Sequence, residues 1–155
     1  AFDFYTKKEL ADNYEGWHEP KYGTSEIEFN KDGFDDIQLM YKLKDPKFII
    51  EGISALQYMD GKECLNVLES EAAAIEKQFT PKDVKFYRKK TFKHNADKSG
   101  KSKVTSIKIK FKSDKGVLII GCYDWSTSYA AKMGYNDNLR FSIRTKSYAS
   151  FLNNR

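Results

Sequence analysis

The chain has 155 residues and a mass of 18.0 kDa, a length that implies one domain spanning 1–155 with a substantial core. Ten tyrosines and eleven phenylalanines exclude an intrinsically disordered chain, and no apolar run approaches the ~20 residues of a membrane-spanning helix. The net charge of +5 hides an asymmetry: residues 1–81 carry nine Lys/Arg against seventeen Asp/Glu, and residues 82–115 carry thirteen against three.

A basic block set against an acidic one bears on partners rather than on fold. The chain begins at Ala1 without a methionine, as a mature chain does after signal cleavage at a small residue, so a periplasmic or secreted protein is expected. Cys64 and Cys122 fit one disulfide in such a compartment, tying the start of a helix to a central strand. Two buried thiols are the alternative. The wide spacing has no metal-site character, and neither a metal nor a cofactor is expected.

Residues 1–24 read as an irregular aromatic arm, with Trp17 and His18 capping the core. Ser25–Asn30 and Phe34–Leu43 alternate apolar and polar residues around the Lys31-Asp32-Gly33 turn, the pattern of an antiparallel hairpin. Asp35 and Asp36 are adjacent and point to opposite faces, so they are read as solvated residues near a turn and not as a catalytic pair. Lys47–Met59 is apolar on both faces around 48–50, as a central strand is.

Asp60–Thr80 is the one long helix. Asp60 and Glu63 form a capping-box pattern, and Thr80-Pro81 stops the helix. Leu65, Leu68, Ala72, Ile75 and Phe79 make its apolar stripe, with Cys64 at the edge. Val84–Lys93 is a strand in which strict alternation sets Val84, Phe86, Arg88 and Lys90 against Lys85, Tyr87 and Lys89. Residues 94–102 form a polar loop. Its Gly100-Lys101-Ser102 lacks the upstream glycine of a phosphate-binding loop, since that position is Asn95.

Lys103–Lys112 alternates Ile107, Ile109 and Phe111 with Lys108, Lys110 and Lys112, and Val117–Trp125 reads as a central strand. Ser126–Asn138 reads as a long aromatic loop, Leu139–Thr145 as a last strand, and Lys146–Arg155 as a docking tail. The expected fold is α+β: a mostly antiparallel sheet of six to seven strands, in the order β-β-β-α-β-β-β-β, with the central helix on one face.

No H-E-x-x-H, C-x-x-C, G-x-S-x-G or glycine-rich nucleotide motif occurs, so an enzyme is not the favoured reading. Asp124, beside Tyr123 and Trp125, is the one candidate general acid. Two binding devices stand out. One is the basic hairpin with Tyr87, Arg88, Lys90, Lys108, Lys110 and Lys112; the other is the aromatic loop with Trp125, Tyr129 and Tyr135. Lysine dominates over arginine in the hairpin, which argues against bidentate base or phosphate recognition. The ladder also has a bland use, shielding an edge strand.

These features give the expectation of an exported, non-enzymatic protein that binds an acidic protein partner, as an inhibitor or immunity-type protein does. A nucleic-acid or polyanion binder is the first alternative. An enzyme or small-ligand carrier with a helix–sheet pocket is the second.

Overall fold

The computed structural model describes residues 3–4, 21–31, 33–47, 49–112 and 115–153. Most of the expected 1–24 arm, with Trp17 and His18, lies outside them. The described chain runs through β1 (Asp3–Phe4), β2 (Tyr22–Lys31), β3 (Phe34–Lys42), β4 (Ile50–Tyr58), helix α1 (Gly61–Glu76), β5 (Val84–Lys93), β6 (Lys103–Phe111) and β7 (Gly116–Asp124). Helix α2 (Thr127–Met133), β8 (Asn138–Thr145) and helix α3 (Lys146–Asn153) complete it. The fold is α+β, as the alternation implies: seven long strands and the two-residue β1 form one open sheet. Every pairing is antiparallel, in the order β1-β2-β3-β4-β8-β7-β6-β5.

Two meanders build this sheet and meet where β8 pairs with β4. Helix α1 carries the chain from β4 to β5 at the far edge. Its start follows from chemistry in the sequence: Asp60 is extended at the N-cap, and its Oδ1 accepts from the Lys62 and Glu63 N–H groups, each at 2.9 Å. The helix ends at Glu76, short of Thr80, and the chain leaves through a turn. Its buried stripe is Cys64, Leu68 and Ala72, while Leu65 is 43% exposed. The stripe is therefore rotated from the expected one, centring Cys64 on the sheet. There Cys64 is bonded to Cys122 of β7, with the Cα atoms 5.7 Å apart. This is the helix-to-central-strand tie that the cysteine pair implies.

The core lies between α1 and the inner face of β6, β7 and β8. Ile109, Ile120, Leu139 and Leu68 are fully buried there. One row across the inner face shows how far the cover extends. Ile109, Leu118, Ile143, Ile53 and Leu39 are successive partners. Ile109 and Leu118 are buried, whereas Ile143 and Ile53 are 57% and 45% exposed. A helix about 10 Å wide spans two to three strands spaced about 4.8 Å apart, so among the described residues α1 covers the β6–β8 side of this face and does not reach the β4 side.

Two segments differ from the sequence reading. The 126–138 stretch contains α2, bracketed by Ser126 and by Gly134 with φ 70°. The tail forms α3, whose Tyr148 and Phe151 pack against Tyr22 at 4.8 and 4.7 Å on the outer face. The Tyr148 ring lies close over Gly52, where a Cβ would sit 3.2 Å from its Cδ1. The N-terminus of α3 is anchored by buried Glu51, which accepts from Ser147 Oγ at 2.5 Å and from Thr145 Oγ1, and pairs with Lys42 at 2.7 Å.

Candidate functional site

The outer face of the β5–β6 hairpin is completed by an irregularity. Tyr87 pairs with Lys108, but the next register pair is Lys90 with Ser106, so β5 bulges at Arg88 and Lys89. The extra residue reverses the alternation. Lys90 moves to the face of Lys85 and Tyr87, together with Lys108 and Lys110, opposite to strict alternation. Lys89 instead pairs with Glu69 of α1 on the inner side. Arg88 sits exposed within the bulge, outside the regular face. Lys112 follows the end of β6, and its Nζ donates to the Pro81 carbonyl at 2.6 Å, so it leaves the ladder.

The surviving cluster is Lys85, Lys90, Lys108 and Lys110 around Tyr87. The ammonium groups of Lys85 and Lys108 lie 5.1 and 5.8 Å from the Tyr87 ring centroid, within cation–π range. Tyr87 and Phe92 are 39% and 46% exposed. Strand order bears on the two uses of a lysine ladder. β5 is the sheet edge, and its bulge and exposed cations are what an edge strand uses against aggregation. β6 is interior, paired on both sides, so edge protection gives no reason for Lys108 and Lys110.

The aromatic device adjoins this face. Phe92, Val104 and Tyr123 are partners across β5, β6 and β7, and all three lie on the outer side. Beyond them Trp125 gathers His94 at 4.5 Å, Tyr135 at 4.9 Å, Tyr129 at 5.6 Å and Tyr123 at 5.9 Å. The Arg140 guanidinium lies 4.5 Å from the Tyr123 centroid. The basic hairpin and Trp125, far apart in sequence, thus share the outer side of the sheet, linked through the row Phe92, Val104 and Tyr123, with Tyr129 and Tyr135 against Trp125.

A buried carboxylate fixes the geometry. Asp97 Oδ2 accepts from Ser102 N–H at 3.0 Å, Ser102 Oγ at 2.6 Å and Ser126 Oγ at 2.9 Å, while Oδ1 accepts from Ser99 N–H at 2.9 Å. These bonds fasten the 94–102 loop to the start of α2 and bring His94 onto Trp125. The Ser102 and Ser99 hydrogen bonds hold the Asp97 carboxyl well below the usual carboxylate range. Burial, then the nearby Arg140 charge, pushes the His94 imidazole down, against the opposing pull of Asp97.

Beside Trp125 an open groove of about 530 Å³ runs between the end of β4 and α2, lined by Tyr58, Asp60, Trp125, Tyr135 and Asp137 among others. Asp137 Oδ1 accepts from the Trp125 N–H at 2.7 Å. Burial raises the Asp137 carboxyl pKa, and the charges of Asp124 and Asp60 add to the rise. Asp124, the sequence's candidate general acid, is exposed against Gly61, where a Cβ would meet its Cγ at 3.3 Å.

Asp35 and Asp36 are not simply solvated, since Tyr58 donates its N–H to Asp35 at 2.6 Å and its hydroxyl to Asp36. Burial, then Asp36, pushes the Tyr58 phenol pKa up. Among the described residues no cluster of His, Cys, Asp and Glu has the arrangement of a metal site.

The sequence reading missed Lys85, His94, Tyr58, Arg140 and Asp137 as parts of these surfaces. Alternation in β8 places Arg140 on a face opposite Leu139, but nothing local pairs that face with Tyr123. No family model, no curated protein and no solved structure matches the chain.

Proposed function

We propose that this chain is a non-enzymatic binding protein of an oxidising, exported compartment, and that it engages an acidic surface of another protein through the outer face of the β5–β6 hairpin. Inhibition of that partner is the role that fits a small, disulfide-tied domain with such a face. The observation that carries the reading is the cluster of Lys85, Lys108 and Lys110 around an exposed tyrosine on one side of the sheet, to which the β5 bulge adds Lys90. A cluster of lysines on one face favours a negative partner, and opposed charge patterns speed and orient encounter. The Cys64–Cys122 bond is compatible with an oxidising compartment.

The test is affinity capture from an extract of the source cells with the native chain and a Lys85→Glu/Lys108→Glu/Lys110→Glu variant, followed by titration of the captured protein at low and moderate salt. The expected result is one stoichiometric complex that the variant fails to form. Equal capture by both chains overturns the reading. Capture of nuclease-sensitive material, with affinity falling steeply in salt, replaces it with the polyanion-binding alternative.

A further inference from the structure

Two arginines of β8 stand beside the lysine face. Arg140, Ser142 and Arg144 share the outer side of β8, and the row through Arg140 runs over Gly121 and Ser106 to Lys90 of β5. Two small residues therefore separate Arg140 from the lysine cluster. Strands β5, β6 and β8 contain no Asp or Glu, and Asp124 at the end of β7 lies against Gly61 at the start of α1. These four strands thus offer Arg140 no counter-charge on the outer face.

Arg140 is half-buried. Its Nε is buried and has no hydrogen-bond partner, and among the described residues no carboxylate forms an ion pair with its guanidinium. Glu26 feels the Arg140 charge without pairing with it; its Oε2 accepts from Gln38 Nε2 at 3.3 Å. The contact with Tyr123 engages the ring face and satisfies no N–H donor. A sheltered charged donor without an acceptor is unfavourable, and the in-plane edge of a guanidinium matches a carboxylate through two parallel hydrogen bonds. Arg144 also has an unpartnered Nε, but Tyr148 of α3 closes over Gly52, the register partner of Arg144 in β4. Arg140 is the arginine that adjoins both the lysines and the aromatic cluster.

We propose that Arg140 anchors the outer face: its guanidinium receives an Asp or Glu carboxylate from an acidic segment that lies across β5–β8, with Lys90 and Lys108 as flanking charges. This inference rests on the acidic-partner reading and adds to it a planar, forked seat among point charges. A small turn of the side chain offers the Nε edge to the ligand, and among the described residues no hydrogen bond or ion pair holds it back.

The test is NMR of the isotope-labelled full chain. The Arg140 Nε–H signal, assigned through the β8 backbone, is followed as acetyl-tetraglutamate amide or tetrathymidylate is added. Tetraglutamate is expected to move this signal saturably, and Arg140→Lys to weaken its binding about tenfold. Arg140→Gln, which loses the charge as well, should weaken it further. The shift is read on the native chain, so it decides the matter even if a variant is destabilised. A signal that stays in place while tetraglutamate binds, or equal binding by Arg140→Lys, overturns the proposal. So does tetrathymidylate moving the signal at lower concentration, which would make the ligand a phosphate chain. Absence of tetraglutamate binding overturns it too; capture of an acidic protein that the lysine variant loses and Arg140→Lys keeps then shows that only the anchor has failed.

Discussion

Replacing both cysteines by alanine tests the tie between α1 and β7. Cys64 and Cys122 are 58 residues apart in sequence, and closing a loop of that length removes about 4 kcal/mol of unfolded-chain entropy at 25 °C. Both sulfurs lie in the core, with the two residues 0% and 2% exposed, so the alanines also leave a small void worth up to about 1 kcal/mol. With a urea slope of about 2 kcal/mol per molar, the Cys64→Ala/Cys122→Ala midpoint should fall by roughly 2 M. The slope itself should rise, because the unfolded chain expands once the loop is open. Urea titration followed by circular dichroism measures both, and the native chain under strong reductant supplies a second comparison. A midpoint that moves by less than about 0.5 M in both experiments would show that the bond is not part of the folded protein. The link to an oxidising compartment would go with it.

Two further predictions concern single carboxylates. Glu51 is buried, which by itself raises its pKa, yet hydrogen bonds from Lys42, Ser147 and Thr145 outweigh burial and bring it from 4.5 down to about 2. Its stabilisation is therefore complete above pH 4.5 and fades as the pH falls toward 2. Glu51→Gln should cost on the order of 1–3 kcal/mol at neutral pH, and the gap to the native chain should close in acid; a gap that stays constant between neutral and strongly acidic solution contradicts the assignment. Asp97→Asn removes the charge that pulls the His94 imidazole upward against burial and Arg140, so where NMR shows His94 still against Trp125 its titration midpoint should fall further, and a rise with that contact kept contradicts the assigned balance of charges.

Part of the site is legible along the chain. Lys108 and Lys110 share a face because period-two alternation is a property of any strand, and Trp125, Tyr129 and Tyr135 stand out by composition. Lys90 departs from strict alternation because a bulge inserts a residue without a strong local signal. Lys112 lies just past the end of β6, where alternation no longer governs its direction. Signals for α2 and α3 are present: Ser126 and Gly134 bracket the first, and Tyr148, Phe151 and Leu152 follow helical spacing in the second. A seven- or eight-residue helix spans only two turns, too short for periodicity to outweigh a loop-like composition.

The α+β class, the hairpins, the capped helix and the separation of acidic and basic stretches can all be read from the residues in order. They follow from backbone geometry and near neighbours, which repeat wherever the residues recur. Three other outcomes belong to long-range pairing: β8 inserts beside β4, β5 and not β6 is the edge, and the lysine hairpin runs on into the Trp125 cluster. The crowding of carboxylates at the groove belongs with them. Each depends on which distant strands pair and in what register, and the same local pattern is compatible with many pairings until the core under α1 selects one.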